Sequence, residues 1–176
     1  MQKRPTNYAF IDSNNVHLGI QRLGWTLDYR KFRRYLKEKY AVEKAYLFIG
    51  FLPQNADLYR SLQEKGYILI FKQILDQEGH IKGNIDAELV LHTMIQYEMY
   101  GKAVVVTSDG DFACLVEYLH QKNKLETVLS PSSHTMCSVL LRRAAKEKMM
   151  FMDTLRQKLA YEKAPLGDGT PRSTSS

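Results

Sequence analysis

The sequence predicts a three-layer α/β fold, in which a central, mostly parallel sheet is flanked by helices on both sides. Short apolar runs rich in β-branched or aromatic residues recur without clear alternation, as strands buried on both faces do. Amphipathic helical patterns separate these runs, and strands that alternate with helices favour parallel pairing. A length of 176 residues suits one domain with its own hydrophobic core.

Each element has a local signal in the sequence. The predicted strands are residues 8–11, 45–51, 67–71, 103–106 and a weaker run at 127–129. The predicted helices are residues 29–40, 56–65, 85–100, 112–122 and 136–146, and the second is closed by Gly66 as a C-cap. The segment 76–83 is predicted to be a loop or small hairpin, and 151–161 a short strand that runs into a last helix. We expect residues 1–162 to form the domain and residues 163–176, rich in Pro, Gly, Ser and Thr, to be a disordered tail.

Composition narrows the class of protein. An apolar fraction of 44% and a charged fraction of 25% are typical of a soluble globular protein. No apolar run is long enough to cross a bilayer, and the N-terminal residues lack the apolar segment of a signal peptide. Cys114 and Cys137 have no metal-site spacing and are expected to be buried free thiols. These observations predict a cytoplasmic protein without a membrane partner. The net charge of +6 favours a polyanionic partner without proving one.

Two aspartates lie just after two predicted strands. Asp12 comes directly after the run 8–11, and Asp109 comes three residues after Val106, where the run 103–106 ends. Ligands of open α/β sheets bind at the carboxyl ends of the strands. We therefore expect Asp12 and Asp109 to project from the same edge of the sheet.

Asp86 and Asp111 lie where predicted helices begin, so N-capping explains each of them about as well as a functional role does. If all four carboxylates converge, their mutual repulsion is relieved by a divalent cation, and an oxygen-only set suits Mg²⁺ or Mn²⁺. Asn15 and Ser108 could hold a phosphate oxygen or a water on the metal, or only stabilise their turns. Lys82 is the best single candidate to steer a phosphate.

Three segments resemble the motifs of the NYN domain, in the LabA-like branch of the PIN-like nuclease superfamily. The segments are Phe10-Ile11-Asp12-Ser13-Asn14-Asn15, Lys82-Gly83-Asn84-Ile85-Asp86 and Val106-Thr107-Ser108-Asp109-Gly110-Asp111-Phe112. The resemblance covers about residues 7–155. It implies a Rossmann-like, PIN-like fold whose acidic pocket, formed by Asp12, Asp86, Asp109 and Asp111, binds Mg²⁺ or Mn²⁺ and cleaves RNA.

Two positions depart from the family pattern. Ser13 stands where the first motif usually has glycine, and His92 stands where many relatives carry a second aspartate in the long helix. His92 could contact a phosphate or a water on the metal, or it could be a partly buried helix residue.

The sequence therefore predicts a metal-dependent endoribonuclease, and the RNA is expected to be single-stranded. A homodimer is possible, but the sequence does not determine the oligomeric state. The alternative is a catalytically weak RNA- or protein-binding regulatory module, which the His92 departure motivates. A phosphohydrolase of the haloacid-dehalogenase type would need an aspartate at the position of Asn14. Basic clusters at 30–39 and 142–148 could contact the phosphate backbone or form solvated helix faces.

Overall fold

A computed structural model describes residues 6–72 and 86–162 of the chain. The predicted loop at 76–83, including Lys82, and the predicted tail at 163–176 lie outside these ranges. The strands are β1 (Asn7–Asp12), β2 (Val42–Gly50), β3 (Tyr67–Lys72), β4 (Ala103–Val106), β5 (Leu125–Ser130) and β6 (Met149–Phe151). The helices are α1 (Ser13–Arg22), α2 (Tyr29–Tyr40), α3 (Ala56–Glu64), α4 (Asp86–Ile95), α5 (Ala113–Gln121), α6 (Val139–Ala145) and α7 (Arg156–Leu159).

The six strands form one sheet in the order β3-β2-β1-β4-β5-β6. Every neighbouring pair in this sheet is parallel. The chain builds the sheet outward from β1 to one edge and then returns to add β4 on the other side of β1. This order is that of doubly wound folds, whose ligand crevice opens where the strand order reverses. The reversal here lies between β1 and β4.

Both faces of the sheet are buried, which confirms the predicted three-layer α/β fold. Alternate residues of β1 point to opposite faces, so Ala9 and Ile11 join one core cluster and Tyr8 and Phe10 join the other. The first cluster packs against α1, α2, α3 and α7, and the second against α4, α5 and α6. Burial on both sides explains why the strand sequences show no polar and apolar alternation.

The structure corrects several predicted boundaries. Helix α1 was not among the predicted elements, yet Asp12 caps it and Val16 and Ile20 bury its inner face. The predicted helix 85–100 is too long, since α4 ends at Ile95. Lys124 donates through Nζ to the carbonyl oxygens of Tyr97 and Tyr100, at 2.8 and 2.6 Å, and so holds the irregular turn that replaces the last helical turns.

At the C-terminal side, α6 begins three residues later than predicted. The backbone N–H groups of Met136 and Cys137 both donate to the carbonyl of Ser133, which forms a turn in place of a first helical turn. The last strand was predicted to begin at residue 151, but β6 ends there. Residues 149–151 pair with β5 and complete the edge of the sheet. Cys137 is buried as expected, but Cys114 is exposed on α5.

None of the helices in the described ranges has the length and hydropathy needed to cross a membrane.

Candidate metal centre and cavity

The carboxyl ends of β1 and β4 bring two aspartates together at the point where the strand order reverses. The two strands are hydrogen-bonded neighbours, and their register pairs Ile11 with Val106. Asp12 is the last residue of β1, and Asp109 follows β4 after Thr107 and Ser108. The structure thus places both side chains at the crevice where a doubly wound sheet binds its ligands.

Asp12 is held by the start of α1. Its carboxylate is the N-cap of this helix and accepts a hydrogen bond from the backbone N–H of Asn15 at 3.1 Å. The side chain is buried, and this burial raises the pKa of Asp12 to about 6. The backbone N–H of Asn15 opposes the shift, whereas the negative charges of Asp86 and Asp109 add to it. Asp12 therefore lies close enough to Asp86 and Asp109 for their charges to act on it.

Asp109 and Asp111 are positioned by the short 3₁₀ turn Gly110–Phe112 that leads into α5. Asp109 caps this turn, because its carboxylate accepts a hydrogen bond from the backbone N–H of Asp111 at 3.0 Å. A Cβ atom at Gly110 would overlap the hydroxyl oxygen of Ser138. Glycine therefore allows this turn to approach the residue that precedes α6 closely, and a larger residue would have to displace the side chain of Ser138.

Two overlapping sets of carboxylates result. Asp86, Asp109 and Asp111 each offer one carboxylate oxygen, and these oxygens lie within 4.8 Å of one another. Asp12, Asp86 and Asp109 line a common cavity. Asp86 and Asp109 belong to both sets and form the centre of the cluster. Carboxylate oxygens are the donors that Mg²⁺ and Mn²⁺ prefer, so these side chains fit such an ion.

The cavity has a volume of about 310 Å³. One of its walls is a single face of α1, since positions four residues apart on a helix lie above one another. Besides the three aspartates, the lining residues are Asn14, Asn15, Leu18, Gly19 and Arg22 of α1, with Ser108, Ser132 and Met136 from the loops after β4 and β5.

Asn15 and Ser108 form a hydrogen-bonded brace across the reversal point. The side-chain oxygen of Asn15 accepts from both the backbone N–H and the hydroxyl of Ser108, at 2.8 Å each. The carbonyl of Ser108 in turn accepts from the backbone N–H of Ser138 at 3.2 Å. This brace ties α1 to the loop that carries Asp109 and so fixes the distance between the two strand-end carboxylates. Both residues also line the cavity.

His92 is not among the residues that line the cavity. Its ring packs against Phe48 of β2, with ring centroids 5.6 Å apart. Six residues of α-helix correspond to about 1.7 turns, so Asp86 and His92 leave α4 in different directions. This placement favours the partly buried packing role over a direct contact with a bound phosphate.

Ser13, the other departure from the family pattern, is also not among the residues that line the cavity. It is buried beneath α1, and its hydroxyl lies near the phenol of Tyr29. Burial raises the pKa of Tyr29 to about 12, and the hydroxyl of Ser13 partly opposes this rise. The exchange of glycine for serine therefore affects the packing under α1 and leaves the cavity lining unchanged.

Arg22, Leu18, Ser132 and Met136 were not singled out from the sequence. Their signal was available in part, since Asn14, Leu18 and Arg22 have the four-residue spacing of one helix face. Because α1 was not predicted, this spacing could not be interpreted as one face of a helix.

Comparisons with known proteins agree with this architecture. The model of the NYN domain family matches residues 8–153. The low amplitude and bright protein LabA of Synechococcus elongatus is 31% identical over an alignment of 142 residues, and this alignment covers 74% of this chain and 76% of that protein. A protein of unknown function from Vibrio parahaemolyticus has a crystal structure that superposes with a TM-score of 0.73 and 22% identity. That match covers 90% of this chain and 99% of the other, and supports the fold alone.

Proposed function

The chain belongs to the NYN domain family, within the PIN-like nuclease superfamily, and from this premise we propose that it is a Mg²⁺- or Mn²⁺-dependent endoribonuclease. The observation that supports the proposal is the cluster of Asp86, Asp109 and Asp111, with Asp12 beside it in one cavity. The proposed substrate is single-stranded RNA, and the proposed location is the cytoplasm.

A bound Mg²⁺ or Mn²⁺ would supply charge neutralisation, polarisation of a phosphoryl oxygen and a lowered pKa of an attached water. The chain's own contribution is to hold the four carboxylates in place. Asp86 and Asp109 contribute to both carboxylate sets, so their loss is expected to be the most damaging. Asp111 is exposed and does not line the cavity, which predicts a smaller effect for its loss.

The substrate would be oriented by the groups around the acids. Asn15 and Ser108 line the cavity, and their brace sets the opening that a phosphodiester must enter. Lys82 lies outside the described residues and stays a prediction as a phosphate contact. His92 packs against Phe48, and we assign it a role in supporting α4.

The test is the substitution Asp109→Asn in the purified protein. The amide oxygen can still accept from the backbone N–H of Asp111, so the turn and the fold are expected to persist. One central negative charge is lost, and Mn²⁺-stimulated cleavage of a single-stranded RNA is expected to fall at least about 100-fold.

Asp57→Asn is the matched control, because Asp57 is an exposed aspartate in the first turn of α3 and does not line the cavity. It is expected to keep cleavage within about twofold of the wild type. Cleavage by Asp109→Asn at the wild-type rate would remove the basis of the proposal.

The second candidate is a catalytically weak RNA-binding module with the same cavity. It is favoured by the position of His92, because α4 brings a single carboxylate, that of Asp86, to the cavity lining. RNA binding that weakens with salt, without products that depend on Mn²⁺, would select this candidate over the nuclease.

A further inference from the structure

Among the residues that the structure describes, one basic side chain lines the acidic cavity. Arg22 lines it together with Asp12, Asp86 and Asp109, and no other arginine or lysine of the described ranges does so. The simplest explanation for a cation in a pocket dominated by carboxylates is an ion pair with those acids. Arg22 does not form such an ion pair, so its position requires another explanation. Within residues 6–72 and 86–162, Arg22 forms neither a salt bridge nor a side-chain hydrogen bond.

Two other cations of this half of the molecule help to hold the fold. Arg33 donates to the backbone carbonyls of Gly66 and Glu43, and Lys31 donates to the carbonyl of Ala160. Arg22 differs from both, since it is exposed in the last turn of α1. Its charge there interacts favourably with the helix dipole and needs no partner. The guanidinium is therefore available to a ligand.

The spacing along α1 separates Arg22 from the carboxylates. The side chain of Asn15 accepts a hydrogen bond from the backbone N–H of Ser108, the residue before Asp109. Asn15 lies seven residues before Arg22. Seven residues correspond to a rise of about 10 Å along the helix axis, although helical side chains lean back toward the N-terminus. Arg22 thus lies further along the same cleft than a phosphate bound at the carboxylates. The planar guanidinium matches a phosphate group with two parallel hydrogen bonds.

We propose that Arg22 forms a second phosphate subsite, which binds a backbone phosphate flanking the one held at Asp12, Asp86 and Asp109. This inference rests on the proposed function, because it requires a phosphodiester at the acidic end of the cavity. It assigns α1 as the wall along which a single strand runs, with one phosphate at each end of the helix face. The subsite selects for polymers over small phosphodiesters.

The experiment measures binding of a short fluorescein-labelled single-stranded RNA by anisotropy at several KCl concentrations. The parent protein carries Asp109→Asn, so that the RNA is not cleaved during the measurement. All other variants are made in this parent. For single strands, the logarithm of the affinity falls with the logarithm of the salt concentration by about 0.7 per phosphate contact. Adding Arg22→Gln is expected to weaken binding roughly fivefold to tenfold and to reduce this slope by about 0.7.

Two further variants separate a phosphate contact from general effects. Arg22→Lys keeps the charge and is expected to retain the slope. Arg60→Gln removes an exposed arginine of α3 that pairs with Asp57, and is expected to leave both affinity and slope at the parent values.

The proposed subsite would be overturned if Arg22→Gln had the same salt dependence of RNA binding as the parent. It would also be overturned if Arg60→Gln weakened RNA binding as much as Arg22→Gln does. A parent that does not bind RNA would overturn it as well. The proposed function is tested separately, by Mn²⁺-dependent cleavage of single-stranded RNA by the wild-type protein, and the chemistry at the carboxylates alone is followed with bis(p-nitrophenyl) phosphate. This small diester has no flanking phosphate, so a failure of the subsite can be distinguished from a failure of the chemistry at the carboxylates.

Discussion

At the scale of single residues, Asp12 experiences two opposing influences on its charge. As the N-cap of α1 it accepts from a backbone N–H, which stabilises the charged form. Burial next to Asp86 and Asp109 favours the protonated form, and the balance raises its pKa to about 6 from an ordinary value of 3.8. A carboxylate whose charged form is disfavoured by its surroundings is typical of functional sites, where a bound ligand can stabilise the charge.

This shift predicts how the stability of the metal-free protein depends on pH. Between pH 4 and pH 6 the folded state keeps a proton on Asp12 that the unfolded state has lost, so stability falls as the pH rises through this window. Above it, a shift of about two units corresponds to a penalty of up to about 3 kcal/mol. Asp12→Asn removes the charge and keeps an N-cap acceptor. It is therefore expected to stabilise the protein at pH 7.5 by an amount that vanishes near pH 4.

Urea unfolding in EDTA at these two pH values measures the difference. Asp28→Asn makes the same exchange at the N-cap of α2, outside the cavity, and serves as the control. Equal stabilities of the wild type and Asp12→Asn at pH 7.5 would show that burial and the neighbouring carboxylates do not disfavour the charge of Asp12 as described.

At the scale of elements, α1 forms a wall of the cavity and depends on one close contact. A Cβ atom at Gly19 would overlap the backbone carbonyl oxygen of Pro131, in the loop after β5. Since a backbone atom cannot move aside as a flexible side chain can, Gly19→Ala is expected to destabilise the protein by about 1–3 kcal/mol. This outcome is opposite to the gain of about 1 kcal/mol that alanine normally brings to a helix interior.

Thermal and urea unfolding test this prediction. His17→Ala, at an exposed position of the same helix, is the control and is expected to change stability by less than about 0.5 kcal/mol. A Gly19→Ala protein as stable as the wild type would mean that α1 can move away from Pro131, and that the cavity is wider than described.

The same helix shows what the sequence alone could not supply. Asp12 and Asp109 were placed correctly at one sheet edge, because each follows an apolar run and parallel strands end together. Helix α1 has only two buried large apolar side chains, Val16 and Ile20, and its contact at Gly19 is with a segment more than one hundred residues away. Its pattern is too weak for a local prediction, and Arg22 was missed with it.

At the scale of the whole molecule, the strand order explains why residues far apart in the sequence form one site. The order reverses between β1 and β4, so the loops after these two strands open the crevice. The described start of α4 adds Asp86 and the turn before α5 adds Asp111. The alternation of strands and helices was sufficient to predict the layers. The convergence of Asp86 and Asp111 on Asp109 depends on how α4 and α5 pack on the sheet, which no local pattern encodes.

The most direct test of the central claim, that these carboxylates bind a divalent cation and support cleavage of RNA, is the dependence of cleavage on Mn²⁺. A single-stranded RNA labelled at one end is incubated with the purified wild-type protein over a range of Mn²⁺ concentrations and with EDTA. The account predicts internal cleavage products that increase to saturation with Mn²⁺ and disappear with EDTA. Products that persist unchanged in EDTA, or no products at any Mn²⁺ concentration, would contradict it.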